Sequence, residues 1–365
     1  MSQHASRPEP RAELMAITTY VPGKSAPAGA AKTYKLSSNE SPLGPSPKAA
    51  QALRDAAAAL AFYPDGSAEA LRRAIGERHG LDPARLICGD GSDELLGLFA
   101  HAFLKPGDDG LYSQYGFLSY PIAIRAAGAT PIAAPERHYC ADVDALLARV
   151  SDRTKLVFLA NPNNPTGSML PRGELKRLHA GLPPDALFVI DAAYAEYVED
   201  AAYEPGVELV DSFENVVMTR TFSKAYGLAG ARLGWAYGRE FAIEALNRIR
   251  GPFNVNAPAQ AAGVAALGDP GHLAAAVAHN ARWLPWLRRE IGALGLEVPP
   301  SAGNFVLIRF RDAGEARRAD AALTLAGFIL RGMDGYGLPD CLRLTVGEEE
   351  ANTGVVAALK RFLAV

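Results

Sequence analysis

Five apolar runs of strand length limit how this chain can fold more than any other feature. They are RLICG, DDGLYS, TKLVFLANP, ALFVIDAAY and NVVMTRTFS, beginning at Arg85, Asp108, Thr154, Ala186 and Asn215. Each has an apolar centre and ends in polar or small residues. Helix-like stretches such as PKAAQALRDAAAAL and SAEALRRAIGERHG alternate with them. Buried strands that alternate with helices form a mostly parallel sheet covered on both faces, an α/β fold. In such a sheet ligands sit beyond the carboxyl ends of the strands. The residues that follow each run are therefore where chemistry should be sought.

The pattern changes twice along the chain. Residues 1–47 are rich in Pro, Ala and Gly and read as an arm and interface segment. Residues 48–265 carry the alternating pattern of a large domain. Residues 266–365 begin with the helical stretch HLAAAVAHNARWLPWLRREIGALG and continue through NFVLIRF, FILRGM and CLRLTVG to a closing helix at NTGVVAALKRFLAV. That sequence describes a smaller α+β domain.

Composition excludes several classes. The chain has 365 residues, 49% hydrophobic and 21% charged, with a net charge of −3. That balance suits a soluble globular protein and offers no general attraction to nucleic acid or anionic membrane. No apolar run reaches the length of about 18 residues that a membrane helix needs. The three cysteines, Cys88, Cys140 and Cys341, lie far apart and fit neither a disulfide framework nor a CxxC site, which points to a reducing cytoplasm. The seven histidines show no ligand spacing, so no metal is expected.

Four strand ends carry unusual residues. After RLICG, Gly91, Ser92 and Asp93 open a helix whose core side would hold Leu95, Leu98, Phe99 and Phe103. Free N–H groups there suit a phosphate, although the same residues suit an ordinary Ser/Asp cap. After TKLVFLA, the stretch Asn161-Pro-Asn-Asn-Pro-Thr-Gly167 concentrates donors in a rigid loop. Asp191 follows a buried strand, where a carboxylate requires a cation or donors, or else caps the next turn. Tyr194 can reach the same cleft. After NVVMTRTF comes Lys224, in RTFSKAYGLAGARLGW. A phosphate site, a buried acid, an Asn-rich loop and a lysine at strand ends together describe a site for pyridoxal phosphate.

These residues carry a family signature. SKAYGLAGARLGW and NPNNPTG, in order with YPDG, GDGSDELL and DAAYAEY, resemble the fold-type I pyridoxal-phosphate aminotransferases, and within them the histidinol-phosphate aminotransferases. The likeness runs from KLSSNESPLGPSP to CLRLTVG. It implies that Lys224 holds the cofactor covalently and that Asp191 pairs with the protonated pyridine nitrogen. It implies further that Asn164 and Tyr194 bond the ring hydroxyl oxygen and that Tyr115 stacks on the ring. Gly91, Ser92, Asp93, Thr221, Ser223 and Arg232 would surround the cofactor phosphate. Tyr63 would reach the phosphate of the neighbouring subunit's cofactor, which makes the site a property of a homodimer.

The resemblance also assigns a substrate side. Arg343 would bind an α-carboxylate, Asn39 would line the same pocket, and Tyr20 and Arg331 would contact a substrate phosphate. The small-molecule reaction implied is amino transfer between L-histidinol phosphate and 2-oxoglutarate, giving imidazole-acetol phosphate and L-glutamate. The GYGLPD turn at Gly335–Asp340 resembles a branch that also accepts phenylalanine or tyrosine, and NESPLG stands where the family often has a second Asn. An aromatic aminotransferase is thus the alternative. A threonine-phosphate decarboxylase shares the fold. A cofactor-binding regulator is disfavoured because neither end carries a basic DNA-binding module.

Overall fold

The computed structural model describes residues 8–19 and 32–364. Tyr20, one of the expected substrate contacts, lies outside them. The strands in chain order are β1 (Tyr34–Lys35), β2 (Leu86–Gly89), β3 (Asp109–Ser113), β4 (Thr130–Ala134), β5 (Glu136–Arg137), β6 (Cys140–Ala141) and β7 (Thr154–Ala160). They continue as β8 (Leu187–Asp191), β9 (Val216–Thr221), β10 (Gly234–Tyr237), β11 (Phe305–Arg309), β12 (Phe328–Ile329), β13 (Arg331–Gly332) and β14 (Cys341–Thr345).

Seven strands form one sheet in the order β2-β10-β9-β8-β7-β3-β4. β10 pairs antiparallel with both its neighbours, and the remaining pairs are parallel. The five apolar runs supply β2, β3, β7, β8 and β9. Two strands of the sheet escaped that reading. β4 contains Pro131, which is tolerated because β4 lies at the edge. β10 is four residues long and starts at a glycine.

Successive residues of a strand point to opposite faces, and the core divides accordingly. Val157 and Leu159 of β7 join one apolar cluster with Phe188, Ile190 and Trp235. Leu156 and Phe158 join the cluster on the other face with Phe99, Tyr120 and Val189. The helix Ser92–Phe103 lies on that second face. Its fully buried residues are Leu95, Leu96, Phe99 and Ala100, whereas Leu98 and Phe103 are only partly covered. The buried stripe is thus rotated from the one the spacing suggested, because a helix laid on a sheet presents its adjacent i, i+1, i+4 and i+5 positions.

A separate core holds the C-terminal elements. Trp283, Leu287 and Ile291 of the helix Pro270–Gly292 pack there with Val306, Ile308, Leu342 and Leu344. The same helix reaches the large core through Leu273, so the two cores meet along its length. β1 pairs in parallel with β12 and places Leu36 in the C-terminal core. The segment after Leu36 then runs from that core across the carboxyl edge of the large sheet. Among the described residues no helix is long and apolar enough to cross a membrane.

Candidate active site

A cavity of about 270 Å³ opens at the carboxyl ends of β7, β8 and β9. Its floor is Lys224, three residues past the end of β9. The amine donates to the backbone oxygen of Ser38 at 3.1 Å and stands 5.7 Å from the centre of the Tyr194 ring. Burial, helped by the Arg343 guanidinium, lowers the lysine pKa to about 8. Its free-base form is therefore accessible near neutral pH.

One end of the cavity suits an anion. Ser92 and Asp93 open their helix, and Gly91 caps it with φ 81° and no side-chain cap bond. The first N–H groups of the helix point outward, uncapped by any side chain, in the arrangement that attracts phosphate. Thr221, Ser223 and Arg232 face the same end. Arg232 Nη1 donates to Ser223 Oγ at 3.4 Å, and the arginine backbone is left-handed at φ 56°. Two glycines make this geometry possible. A Cβ on Gly91 would stand 2.4 Å from Arg232 Nη2, and one on Gly234 would stand 2.2 Å from the amide nitrogen of Ser92.

The other end suits a cation. Asp191 closes β8 and is only 6% exposed. Tyr120 Oη donates to its Oδ2 at 2.8 Å and Thr219 Oγ1 to its Oδ1 at 3.3 Å. Burial pushes its pKa up to about 6, against the pull of those two donors. The carboxylate is thus largely ionised at neutral pH, and among the described residues it forms no ion pair, which leaves it able to accept a cationic group. An anion cup, a lysine whose pKa is lowered to about 8 and a buried carboxylate along one cavity fit pyridoxal 5'-phosphate.

Two arginines expected to contact substrate also line this cavity. Arg343 in β14 is 5% exposed. Its Nη2 donates to the backbone oxygen of Ser37 at 2.8 Å, its Nη1 bonds Asn164 Oδ1, and its plane lies over Phe305 at 5.4 Å. Arg331 lines this cavity and also an adjoining one of about 670 Å³, beside Leu118, Arg125 and Arg317. Asn39, with its backbone at φ 58°, donates from Nδ2 to Tyr194 Oη at 2.8 Å.

The structure therefore gathers Ser92, Asp93, Asn164, Asp191, Tyr194, Thr221, Ser223, Lys224 and Arg232 on one cavity, together with Asn39, Arg331 and Arg343. Tyr115 is not among its walls. That ring packs beside Tyr139, 6.3 Å between centres, and Phe117 lines the cavity in its place. The stacking role of Tyr115 was implied by the resemblance alone, and Phe117 stands two residues further along the chain. Tyr63 is also away from the cavity. It is 82% exposed and stacks on Phe253 at 4.5 Å. Sequence reasoning missed Phe117, Tyr120 and Thr219. A tyrosine in an otherwise apolar helical stretch, whose hydroxyl needs a partner, was the available signal for Tyr120.

Comparison with known proteins agrees with this geometry. Residues 31–359 match the model of the family described as aminotransferase class I and II. Over 98% of this chain and 99% of the relative, the sequence is 56% identical to the histidinol-phosphate aminotransferase of Paramagnetospirillum magneticum. At the same coverage it is 53% identical to that of Nitrobacter winogradskyi. The crystal structure of histidinol-phosphate aminotransferase from Sinorhizobium meliloti in complex with pyridoxal-5'-phosphate superposes with a TM-score of 0.85, at 31% identity over 91% of this chain and 92% of that one. By sequence and by fold, the chain belongs to the class I and II aminotransferases.

Proposed function

We propose that the protein is a pyridoxal 5'-phosphate-dependent histidinol-phosphate aminotransferase, exchanging an amino group between L-histidinol phosphate and 2-oxoglutarate. The observation that carries this reading is the buried Lys224 amine, set between the Asp191 carboxylate, the anion cup at Ser92 and Arg232, and the two arginines. The names of the relatives at 53% and 56% identity support the choice of substrate.

When bound, the cofactor supplies an aldehyde carbon that takes up amino groups and a ring that draws electrons from the substrate Cα. The protein supplies the rest. Ser92, Ser223, Thr221 and Arg232 hold the phosphate. Asp191 keeps a proton on the pyridine nitrogen. Phe117 would cover one ring face. Tyr194 and Asn164 would serve the ring oxygen. Lys224 Nζ would hold the cofactor and, as a free amine, would be the base that moves the proton at the substrate Cα. Histidinol phosphate brings a phosphate where glutamate brings carboxylates. Arg343 and Arg331 suit both anions, because a guanidinium pairs bidentately with either. Arg331 bounds both cavities, so a substrate phosphate held there would project toward the larger one. The reading includes a homodimer in which the exposed Tyr63 of each subunit completes the partner's phosphate cup.

The test is a substrate panel on the purified, cofactor-loaded protein. kcat/KM for L-histidinol phosphate should exceed that for phenylalanine. A preference for phenylalanine above about tenfold, roughly 1.4 kcal/mol of transition-state discrimination, would overturn the substrate assignment.

A further inference from the structure

Glu136 is a half-buried residue, with its Oε2 atom fully covered, that none of the roles above uses. It begins a hairpin, β5 to β6, whose two-residue turn is His138-Tyr139. Both turn residues are left-handed, at φ 51° and 61°. Such a turn favours Asn-Gly, and side chains held there against preference mark constrained places. Here Tyr139 is held by packing against Tyr115 and the apolar cluster of Leu307, Met333 and Tyr336. The hairpin therefore reaches from Glu136 to a small apolar cluster beside the C-terminal strands.

At its base, Glu136 Oε1 gathers donors from two other segments. Ser113 Oγ donates at 2.5 Å and the Tyr115 amide at 3.2 Å. Asn163 Nδ2 approaches at 3.4 Å, and the same amide group donates to Thr166 Oγ1 at 2.9 Å and to the Tyr115 oxygen at 3.3 Å. The next residue is Asn164, which accepts from Arg343. Glu136 Oε2 is buried without a hydrogen-bond partner among the described residues. A fold retains such a group at a stability cost, which calls for a return elsewhere.

We propose that Glu136 is a positioning residue for amino transfer, whose carboxylate holds Tyr115 and Asn163 and thereby fixes Asn164 against the carboxylate-binding Arg343. The inference rests on the aminotransferase reading and deepens it. Charge-assisted bonds from Oε1 are stronger than neutral ones, so ionised Glu136 grips the loop more firmly than its protonated form. Burial pushes its pKa up to about 7, against the bonds from Ser113 and Tyr115. The titratable groups facing it are the Tyr115 phenol and the Cys140 thiol. Burial raises both above their ordinary values. Arg137 is largely exposed and pairs with Asp142 at 3.2 Å.

Two variants separate positioning from scaffolding. Glu136→Ala should raise the KM for 2-oxoglutarate at pH 8 about tenfold or more, with kcat changed less. The Kd of 2-oxoglutarate, measured by calorimetry on the cofactor-loaded protein, should rise with it. Glu136→Gln keeps an acceptor at Oε1 and should recover most of that affinity. It should also lose the tightening of 2-oxoglutarate binding that the wild type shows between pH 6 and 8. The fold supplies an independent reading. Folded Glu136 binds its proton more tightly than the unfolded chain does, so ionisation destabilises the fold as pH rises from about 4.5 to 7 and above. Glu136→Gln should therefore have a higher Tm than wild type at pH 8 and an equal one at pH 4. An unchanged Kd in Glu136→Ala overturns the inference, as does a wild-type pH dependence in Glu136→Gln. If the wild type fails to transaminate at all, the functional reading fails, while the Kd and Tm arms still decide the role of Glu136.

Discussion

Removing a single oxygen, in Tyr120→Phe, tests the electrostatics of the cation end. Tyr120 is fully buried; its ring stacks on Phe158 at 4.8 Å and meets Phe117 edge-on at 6.0 Å. Phenylalanine keeps those contacts. What is lost is the bond from Oη to Asp191 Oδ2 at 2.8 Å, leaving Thr219 Oγ1 at 3.3 Å and the Ala193 amide. A hydrogen bond to a charged group contributes about 1.5–3 kcal/mol. At 1.36 kcal/mol per unit, that raises the carboxyl pKa by about 1–2 units. From about 6 in the wild type, it would move to roughly 7–8, and the ionised fraction at pH 7 would fall from about nine-tenths to between about a half and a tenth. The assay is equilibrium binding of pyridoxal 5'-phosphate to cofactor-free protein, followed by fluorescence from pH 5 to 9. The acid limb of the association constant should shift upward by about 1–2 units. A limb that stays within about 0.3 unit of wild type, with the fold intact, would refute the assignment of Asp191 as the partner of the ring nitrogen.

Two further substitutions address the lysine and the substrate arginine. Lys224→Ala should abolish the visible absorbance of covalently held cofactor and lower turnover by orders of magnitude; normal transamination would remove Lys224 from its role. Arg343→Lys keeps the charge but loses the planar fork, so kcat/KM for glutamate should fall about ten- to a hundredfold, the equivalent of one charged hydrogen bond. Steady-state kinetics with glutamate decide this, and a change below about threefold would indicate that the carboxylate binds elsewhere.

What could be read from the sequence follows the range of the interactions involved. β7, β8 and β9 announce themselves because their apolar runs are local, and the position of Asp191, Asn164 and Lys224 just past those runs follows from the rule for open parallel sheets. β10 was illegible because it has only four residues and completes its pairing against β2, a partner far away in sequence. Phe117 was missed for a related reason. Whether the first or the second aromatic after β3 reaches the cavity depends on the bend set by the bond from the Gly116 amide to the Ser113 oxygen at 2.7 Å. No composition or periodicity encodes that bend. The partners of Tyr120 and Glu136 are likewise long-range. A buried polar side chain can be recognised as needing a partner, but the sequence does not say which.

The seam between the two cores explains how so many polar groups can be buried at one place. Ser37 to Glu40 leave the C-terminal core and cross the strand ends of the large sheet. Along that crossing the Ser37 oxygen accepts from Arg343, the Ser38 oxygen accepts from Lys224, and the Asn39 side chain donates to Tyr194. Thr345 Oγ1 accepts from the Asn39 amide at 3.0 Å, and Asn304 Nδ2 donates to the Asn39 oxygen at 3.0 Å. Burying a lysine and an arginine without partners costs several kcal/mol each. Here each finds a backbone oxygen, and backbone oxygens are neutral acceptors that a ligand can replace without leaving a counter-charge stranded. Carboxylate partners would hold the two cations more tightly, and would have to be separated before any anionic substrate could bind. The arrangement of neutral partners for the cations, and of a carboxylate with only hydroxyl and amide donors at Asp191, leaves each charge free to be matched by the oppositely charged group of a ligand.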